Sequence, residues 1–245
     1  MPSTKQRADL RLVEQGLAET RARAQAMILA GKVYLDQKRI DKAGQLLDAT
    51  ACLSVRGQDH PYVSRGGVKL AGAIEHFGID VDGCVIADFG ASTGGFTDCV
   101  LSRGAIHVYA IDVGYGQLAE KLRHDVRVTN MEKTNARYVQ PHDVGQPVDM
   151  VVIDASFIGL AKLLPAARGI LKPRGEVLAL VKPQFEVGRD DVGRGVVRDE
   201  NLRQQAVDNV KRAASELKFQ ILGQADSSIA GPKGNREIFL WLRVA

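Results

Sequence analysis

Four residues, far apart in the chain, combine side chains that could remove a proton from a hydroxyl group: Lys69, Asp154, Lys182 and Glu237. A lysine acts as a base only when its amine is neutral, and burial beside another cation lowers the pKa of a lysine towards that state. We therefore take Lys182 as the candidate base and Lys69 as the neighbouring cation. Asp154 could hold the base and the attacking oxygen in line, while Glu237 could balance the second lysine. Any one of them alone would more often belong to a surface salt bridge.

A glycine-rich turn could hold a cofactor beside these four residues. The candidates in this segment are Asp88, Gly90, Ser92, Thr93, Gly94, Gly95 and Phe96. Glycines let the backbone bend tightly and approach a ligand, but the turn lacks the second glycine of the dinucleotide fingerprint. Asp112, about 24 positions after Asp88, could accept hydrogen bonds from both hydroxyls of a ribose.

This combination favours a cofactor that contains adenosine but no pyrophosphate. S-adenosylmethionine is the candidate we choose, with Asp88 near its charged amino end. Glu132 follows the third predicted strand together with Asn130 and Met131, where a polar side chain could touch the adenine. An exposed acid in a turn explains Glu132 equally well.

Apolar runs alternate with helix-like stretches along most of the chain. The predicted strands are 84–88, 107–112, 126–129, 148–154, 176–181, 219–223 and 237–244. This alternation predicts an α/β fold, a Rossmann-like parallel sheet covered by helices on both faces. Segment 224–236 is too poor in helix-forming residues for a crossover, so the last two strands should form a hairpin and the final strand should be antiparallel.

Such a sheet would gather the candidate residues at one edge. The predicted strands end at Asp88, Asp112, Asp154 and Lys182, and ligands of open parallel sheets bind beyond these ends. Because the final strand runs the opposite way, its start at Glu237 lies on the same edge. Lys69, in the helix before the first of these strands, could reach over it.

Length and composition favour one large domain and one small one. The chain has 245 residues, 45% of them hydrophobic, and we place the domains at 1–60 and 61–245 because glycine and proline interrupt segment 57–61. No apolar run reaches the roughly 18–20 residues of a membrane helix, and no export signal is visible. We therefore expect a cytoplasmic protein without a membrane partner. Cys52, Cys84 and Cys99 lack metal-ligand spacing, which predicts reduced thiols and no bound metal.

The first 60 residues are the more basic part of the chain. They carry ten basic and seven acidic side chains, and so most of the net charge of +4. Helical spacing predicts two helices, the second capped by Thr20 and stopped at Gly31. Short strands at 32–35 and 52–55 and a turn at 36–39 should follow. The helices could present several cations on one face, although an ordinary solvated face explains any single charge.

This module resembles the S4 RNA-binding domain in the run Arg7-Ala8-Asp9-Leu10 and in segment 21–33. The resemblance implies that the two-helix face docks on structured RNA through phosphate contacts and shape. The expected contacts are Arg7 and Arg11, which we place four residues apart on a helix, Arg21 and Arg23, and Lys32.

Nearly the whole chain, including this module, resembles the TlyA family of haemolysin-named rRNA methyltransferases, whose FtsJ-type catalytic domain has a Lys-Asp-Lys-Glu tetrad. The resemblance rests on 64–70 (Ser-Arg-Gly-Gly-Val-Lys-Leu), 88–98, 152–158, 181–186 and 234–237. It implies 2′-O-methylation of cytidine in 16S and 23S rRNA within 30S and 50S subunits, with S-adenosylmethionine as the donor. Lys69, Asp154, Lys182 and Glu237 match the tetrad, Arg65 is a further expected RNA contact, and no DNA partner is expected.

The linker departs from the family pattern: it has His60-Pro61-Tyr62-Val63 in place of the arginine and tryptophan of some family members. The charged, glycine-rich segment 185–198 could close over the target ribose or be a plain connection. A noncatalytic RNA-binding assembly factor and, less favoured, a pore-forming haemolysin remain as alternative functions.

Other methylation chemistries fit the chain less well. Base N-methyltransferases usually have an Asn/Asp-Pro-Pro-aromatic signature after the fourth strand, and this chain has Asp154-Ala155-Ser156-Phe157 there. Methylation at carbon 5 needs a cysteine nucleophile, and none of the three cysteines is expected near the reacting edge. Ribose is therefore the predicted target.

Overall fold

The computed structural model describes residues 5–18, 20–36, 38–55, 60–187, 196–231 and 234–245. These residues form two compact units, which divide the chain after Pro61. We call the part within residues 1–61 the small unit and the part within 62–245 the large unit.

The small unit is an α+β module with two helices and two small antiparallel sheets. Its elements are β1 (Lys5–Arg7), α1 (Ala8–Glu14), α2 (Arg21–Leu29), β2 (Val33–Leu35), β3 (Lys38–Arg39), β4 (Leu46–Asp48) and β5 (Leu53–Val55). Strand β1 pairs with β4, and β2 lies between β3 and β5. The Thr20 side chain accepts the N–H of Arg23 and caps α2, as predicted, and Gly31 turns the chain after the helix with a φ of +68°.

Two local predictions in the small unit are wrong. Lys38 and Arg39 form strand β3, with Arg39 opposite Tyr34, where the residue pattern predicts a turn. Arg7 ends strand β1 and does not share a helix with Arg11. In both places a neighbouring strand supplies backbone hydrogen bonds, and segments of two or three residues are too short to show a strand period.

The large unit is an α/β domain built on one seven-stranded sheet. Its elements are α3 (Arg65–Phe77), β6 (Val85–Phe89), α4 (Gly95–Ser102), β7 (His107–Ile111), α5 (Glu120–Arg123), β8 (Val128–Met131), β9 (Val148–Ile153), α6 (Leu164–Ile170), β10 (Leu171–Val181), α7 (Pro183–Glu186), α8 (Glu200–Glu216), β11 (Phe219–Asp226) and β12 (Ile238–Val244). The strand order is β11-β12-β10-β9-β6-β7-β8. Strands β6 to β10 are parallel, and β12 is antiparallel to both of its neighbours. The predicted fold class is confirmed.

The central strands are buried on both faces, which is why their sequences are nearly continuous apolar runs. In β9, Val151 and Ile153 enter the core on one face of the sheet, while Met150 and Val152 enter the core on the other. Each buried side chain of this size stabilises the fold by roughly 1.5–3 kcal/mol relative to exposure. The sheet is therefore a rigid base for the residues that follow its strands.

The sheet brings the candidate residues to one edge. The strand order reverses between β6 and β9, where open sheets of this kind bind ligands. Asp88 is the next-to-last residue of β6, Asp154 directly follows β9, and Lys182 directly follows β10. Because β12 runs in the opposite direction, Glu237, which directly precedes it, starts at this same edge.

Two glycine substitutions are expected to change stability in opposite directions. A Cβ on Gly67 of α3 would lie 2.3 Å from Cγ of the buried Tyr62, whereas a Cβ on Gly169 of α6 would meet no atom within 4 Å. Overpacking should make Gly67→Ala less stable by about 1–3 kcal/mol. Gly169→Ala should gain about 0.5–1 kcal/mol because alanine is the better helix former.

Urea unfolding followed by the fluorescence of Trp241, the single tryptophan of the chain, measures both changes in the large unit. Equal free energies of unfolding for the two variants would contradict the close packing of α3 on Tyr62.

Candidate active site

The first of two ion pairs at the sheet edge joins Lys69 and Glu237. The ammonium of Lys69 donates to Oε2 of Glu237 at 2.6 Å, and the two side chains are 8% and 1% exposed. Lys69 lies on the buried face of α3 beside Leu70 and Ala73. Charges so well enclosed are tolerated because each one neutralises the other.

The second ion pair joins Lys182 and Asp154 and is more open. Nζ of Lys182 lies 2.6 Å from Oδ1 of Asp154, and the side chains are 10% and 21% exposed. The same ammonium donates to the Ser156 hydroxyl at 3.0 Å and to the Asp154 carbonyl oxygen at 3.3 Å. The four residues predicted as catalytic therefore form two lysine–carboxylate pairs, each joining residues from different elements.

The glycine turn lies directly against the second pair. A Cβ on Gly90 would come within 3.0 Å of the Asp154 carbonyl oxygen and 3.1 Å of Ala155, and the φ of Gly90 is +89°. Glycine is required here on both counts, because a side chain would separate the turn from Asp154. The turn predicted to bind a cofactor and the residues predicted to be catalytic are thus neighbours.

Asp88 is a buried carboxylate with one unused oxygen. Its Oδ2 accepts from the backbone N–H of Thr97 at 3.0 Å and from the Thr97 hydroxyl at 2.7 Å. Its Oδ1 has no hydrogen-bond partner among the residues that the structure describes. Burial raises the pKa of Asp88 to about 7, against the bonds from Thr97, and the charge of Asp154 adds to the rise. A cationic group would satisfy this oxygen.

Asp112 connects the glycine-rich turn after β6 to the turn after β7. Its Oδ2 accepts from the N–H of Ser92 at 2.8 Å, and its Oδ1 accepts from the N–H of Gly114 at 2.7 Å. Each oxygen keeps a second lone pair that could accept a hydrogen bond from a hydroxyl group. Among the other predicted cofactor residues, Gly94 has a φ of +92°, and the carbonyl oxygen of Thr93 accepts from Ala119.

Two predicted pocket residues, Gly95 and Phe96, are packed inside the domain. A Cβ on Gly95, the first residue of α4, would lie 2.2 Å from Oγ of Ser64. The ring of Phe96 is buried and stacks on Phe239, with centroids 6.1 Å apart. These residues support the glycine turn from the interior of the domain.

Glu132 lies one residue beyond β8. Hydrogen bonds from the Asn130 side chain and the Gly116 backbone hold the pKa of Glu132 below its ordinary value, and Arg123 pairs with it at 2.9 Å. The prediction that Asn130 and Met131 follow the strand is wrong, because they are its last two residues.

A buried aspartate organises the cations of the small unit. Asp9 is fully buried and accepts from Nε and Nη2 of Arg7, from Nε of Arg21 and from Gln25. These bonds, led by those from Arg7, hold the pKa of Asp9 far below its ordinary value. Arg7 and Arg21 are therefore each paired with a buried carboxylate while their side chains stay 41% and 53% exposed.

The other predicted RNA contacts differ in their exposure to solvent and in the partners that they already bind. Arg11 is 17% exposed and bonds to Glu14 and the Ala51 carbonyl oxygen, whereas Arg23 and Lys32 are exposed. In the large unit, the exposed Arg65 donates to the carbonyl oxygen of Ala230. The segment predicted as a lid, 185–198, lies largely outside the described residues, since 188–195 are not among them.

Sequence reasoning missed two residues that contact the site and one that lies next to it. Ser156 accepts a hydrogen bond from Lys182, and Thr97 donates to Asp88. Glu186, the neighbouring residue, accepts the N–H of Leu160 at 2.8 Å. Thr97 and Ser156 were visible as hydroxyl residues a few positions from a candidate acid. Glu186 had no such signal, because its partner lies 26 residues earlier.

No group of acidic, histidine or cysteine side chains that could hold a metal ion occurs in the described parts of the chain. Cys52, Cys84 and Cys99 are free thiols. Burial raises the pKa of Cys99 to about 11, so this thiol is not disposed to act as a nucleophile. Among the helices given above, none is long and apolar enough to cross a membrane.

Two family models match the chain. Residues 62–244 match the FtsJ-like methyltransferase family, and residues 6–51 match the S4 domain. The first match covers nearly all of the large unit, including both ion pairs and the glycine turn. The second covers most of the small unit.

Named relatives match over nearly the full chain. The chain is 49% identical over 239 residues to the 16S/23S rRNA (cytidine-2′-O)-methyltransferase TlyA of Mycobacterium tuberculosis, covering 97% of this chain and 89% of that protein. It is 46% identical over 245 residues to YqxC of Bacillus subtilis, provisionally named an rRNA methyltransferase, covering 99% of this chain and 87% of that protein. A solved structure from Streptococcus thermophilus with a provisional hemolysin name superposes with a TM-score of 0.78 at 42% identity, covering 98% of this chain and 89% of that one.

The raised pKa of Asp88 predicts a pH-dependent stability. A carboxyl with a pKa of about 7 when folded and about 3.9 when unfolded binds its proton more tightly in the folded state. Its stabilising effect is therefore complete below pH 4 and is lost as the pH rises through 7. Relative to Asp88→Asn, the wild type should lose up to about 4 kcal/mol of unfolding free energy between pH 4 and pH 8.

Urea unfolding of both proteins at pH 4, 6 and 8 measures this difference, in which every other titrating group is common to the pair and cancels. A difference that stays constant over the three pH values would show that Asp88 is not desolvated as described.

Proposed function

The chain belongs to the TlyA family of FtsJ-like rRNA methyltransferases, and from this premise we propose that it methylates the ribose 2′-hydroxyl of cytidine in ribosomal RNA. The observation that carries the proposal is the pair of lysine–carboxylate contacts against the glycine turn. Lys69, Asp154, Lys182 and Glu237 are the proposed catalytic residues, and S-adenosylmethionine is the proposed donor.

The residues of the turn fit S-adenosylmethionine. The unused, buried Oδ1 of Asp88 suits the positively charged amino group, and Asp112 suits the ribose hydroxyls. Gly90 and Gly94, with φ values of +89° and +92°, let the turn bend tightly beside the candidate cofactor residues. We propose that Glu132, the residue after β8, contacts the adenine. When bound, S-adenosylmethionine supplies an electrophilic methyl group on a positively charged sulfur and leaves as a neutral thioether.

Lys182 is the proposed base. In its neutral form the amine accepts the proton of the 2′-hydroxyl as the oxygen attacks, and it becomes an ammonium. Asp154 and Ser156 are already within 2.6 Å and 3.0 Å of that nitrogen, so the charge that develops meets acceptors that are in place. Such preorganisation lowers the barrier because no groups need to turn during the reaction.

Lys69 and Glu237 complete the site. Their contact is the more enclosed of the two pairs, which suits a positioning role rather than proton uptake. Glu237 has a second oxygen, Oε1, next to Gly231, where a Cβ would lie at 2.5 Å. We propose that this carboxylate orients the target ribose while the ion pair with Lys69 holds the carboxylate in position.

The small unit is the proposed RNA anchor. Arg7, Arg11, Arg21, Arg23 and Lys32 supply positive charge for phosphates, and Arg65 adds a cation near the reaction edge. Because Asp9 already binds two of these arginines, their guanidinium groups are held in fixed orientations. Fixed cations suit the recognition of a folded RNA by shape.

The proposed substrates are the 16S and 23S rRNAs in 30S and 50S subunits, and the proposed compartment is the cytoplasm. A noncatalytic assembly factor is not favoured, since the chain keeps all four residues of the tetrad and its named relative is a methyltransferase. A pore-forming hemolysin is not favoured either, since residues 62–244 match the FtsJ-like methyltransferase family.

Lys182→Ala should abolish methyl transfer but preserve cofactor binding. Loss of a general base lowers the rate by about 10²–10⁴-fold. Tritium transfer from S-adenosylmethionine to unmethylated 30S and 50S subunits, followed by nucleoside analysis, should give 2′-O-methylcytidine with wild type. Titration calorimetry measures binding of the donor.

Lys172→Ala is the matched control, since Lys172 also pairs with an aspartate, Asp149, at 2.7 Å, but at the start of β10 instead of its end. It should keep full activity. A methylated base as the product, or an active Lys182→Ala, would contradict the proposed chemistry.

Removal of the exposed cations of the small unit should weaken binding of the subunits. The double variant Arg23→Ala/Lys32→Ala is expected to lower the salt dependence of log K by about one unit per cation that contacts a phosphate. Binding of 30S and 50S subunits is measured at several salt concentrations. Arg212→Ala, an exposed arginine of α8, is the control. An unchanged salt slope in the double variant would remove these two residues from the interface.

A further inference from the structure

Two segments that follow neighbouring strands are tied together at three points. The β9 loop, residues 154–160, follows β9, and the α7 segment, residues 182–186, follows β10. At the near end, Lys182 contacts Asp154 and Ser156. The other two ties lie farther along the two segments and involve residues that the proposed mechanism does not use.

The middle tie is an aromatic pair. The ring centroids of Phe157 and Phe185 are 5.2 Å apart, although the Phe157 side chain remains 91% exposed. Phe157 also has a φ of +65°, a left-handed conformation that is strained for a bulky residue. Such strain persists only where the surroundings hold the backbone in place. The conformation of the β9 loop therefore depends on contacts beyond its own sequence.

The far tie is made by Glu186. Its Oε1 accepts the N–H of Leu160 at 2.8 Å, and its Oε2 lies 3.2 Å from where a Cβ on Gly159 would be. Leu160 itself is buried in the main core. The carboxyl is thus packed against the last residues of the loop and joins them to the end of α7. Burial raises the pKa of Glu186 to about 7, which agrees with a carboxyl enclosed between two segments.

We propose that Glu186 is a positioning residue for methyl transfer: by accepting the N–H of Leu160, it holds the β9 loop in the conformation in which Asp154 and Ser156 contact Lys182. The inference rests on the proposed function, because it gives a role in that reaction to a residue outside the tetrad. Glu186 contacts neither the lysine nor the carboxylates of the tetrad in the described residues, and it acts through the loop.

The distance between the two ends of the loop makes this coupling effective. Only five residues separate Asp154 from Leu160. A loop this short cannot shift at Leu160 without moving Ser156 or Asp154, and a displacement of about 1 Å at reacting groups can cost 10²-fold in rate. Loss of the tie should therefore lower kcat and leave the affinity for the donor, which binds at the glycine turn, nearly unchanged.

Three substitutions separate the hydrogen bond from the charge. Glu186→Gln keeps an acceptor at the same reach without the charge, Glu186→Asp keeps the charge but is shorter by one methylene, and Glu186→Ala removes both. Glu216→Ala is the matched control, because Glu216 is also the last residue of a helix, α8, and is exposed. Methyl transfer to unmethylated 30S and 50S subunits gives kcat and the KM for S-adenosylmethionine, and thermal unfolding checks the fold.

We expect kcat to fall about 10- to 100-fold in Glu186→Ala and Glu186→Asp, with the KM for S-adenosylmethionine changed by less than about twofold. Glu186→Gln should restore kcat to near the wild-type value, and Glu216→Ala should match wild type. If Glu186→Ala fails to fold, the comparison of Gln with Asp decides.

Two results would overturn the inference: a wild-type kcat in Glu186→Asp, or a loss in Glu186→Gln as large as that in Glu186→Asp, which would assign the effect to charge. A wild-type protein that transfers no methyl group to either subunit would instead overturn the proposed function, so the two failures are distinguishable.

Discussion

The pairing of two lysines with two carboxylates at one sheet edge is the interaction on which the rest of the large unit depends. A charge removed from water costs several kcal/mol unless an opposite charge stands beside it. Lys69 and Glu237 are almost fully enclosed, and 168 residues separate them in the chain. Neither can be buried without the other, so the position of α3 over the sheet and the start of β12 are fixed together.

The antiparallel direction of β12 follows from this requirement. A parallel β12 would start at the opposite edge, where Lys172 pairs with Asp149. That pair has the same composition as the Lys182 pair, but its side chains are 43% and 32% exposed, and exposed pairs contribute at most about 1 kcal/mol. The two edges therefore differ in how far their charged groups are buried. Because charges interact more strongly away from water, the charges at the carboxyl edge respond more to a ligand placed next to them.

The sequence predicted the large unit well because its signals are local and repeated. The apolar runs of β6 and β9 and the acids at their ends are readable from a few residues each, as is the hairpin that reverses β12. The sequence could not show contacts between residues that lie far apart in the chain and meet only in the folded protein. The bond from Leu160 to Glu186 spans 26 residues, and the clamp of Asp9 on Arg21 spans 12, with no periodic pattern behind either. Strands as short as β3 fail for a different reason, since two residues carry no period.

The charge of the edge also bears on the kind of donor it accepts. The two lysines are balanced by Asp154 and Glu237, so Asp88 and Asp112 add negative charge that none of the described ion pairs neutralises. An anionic pyrophosphate would be repelled there, whereas an ammonium and a sulfonium would be attracted, and a nearby cation would lower the pKa of Asp88 from about 7. Binding of a cationic donor near neutral pH should then release a proton. In the proposed reaction the sulfonium charge disappears, so the edge attracts the product less than the donor, which favours exchange of one for the other.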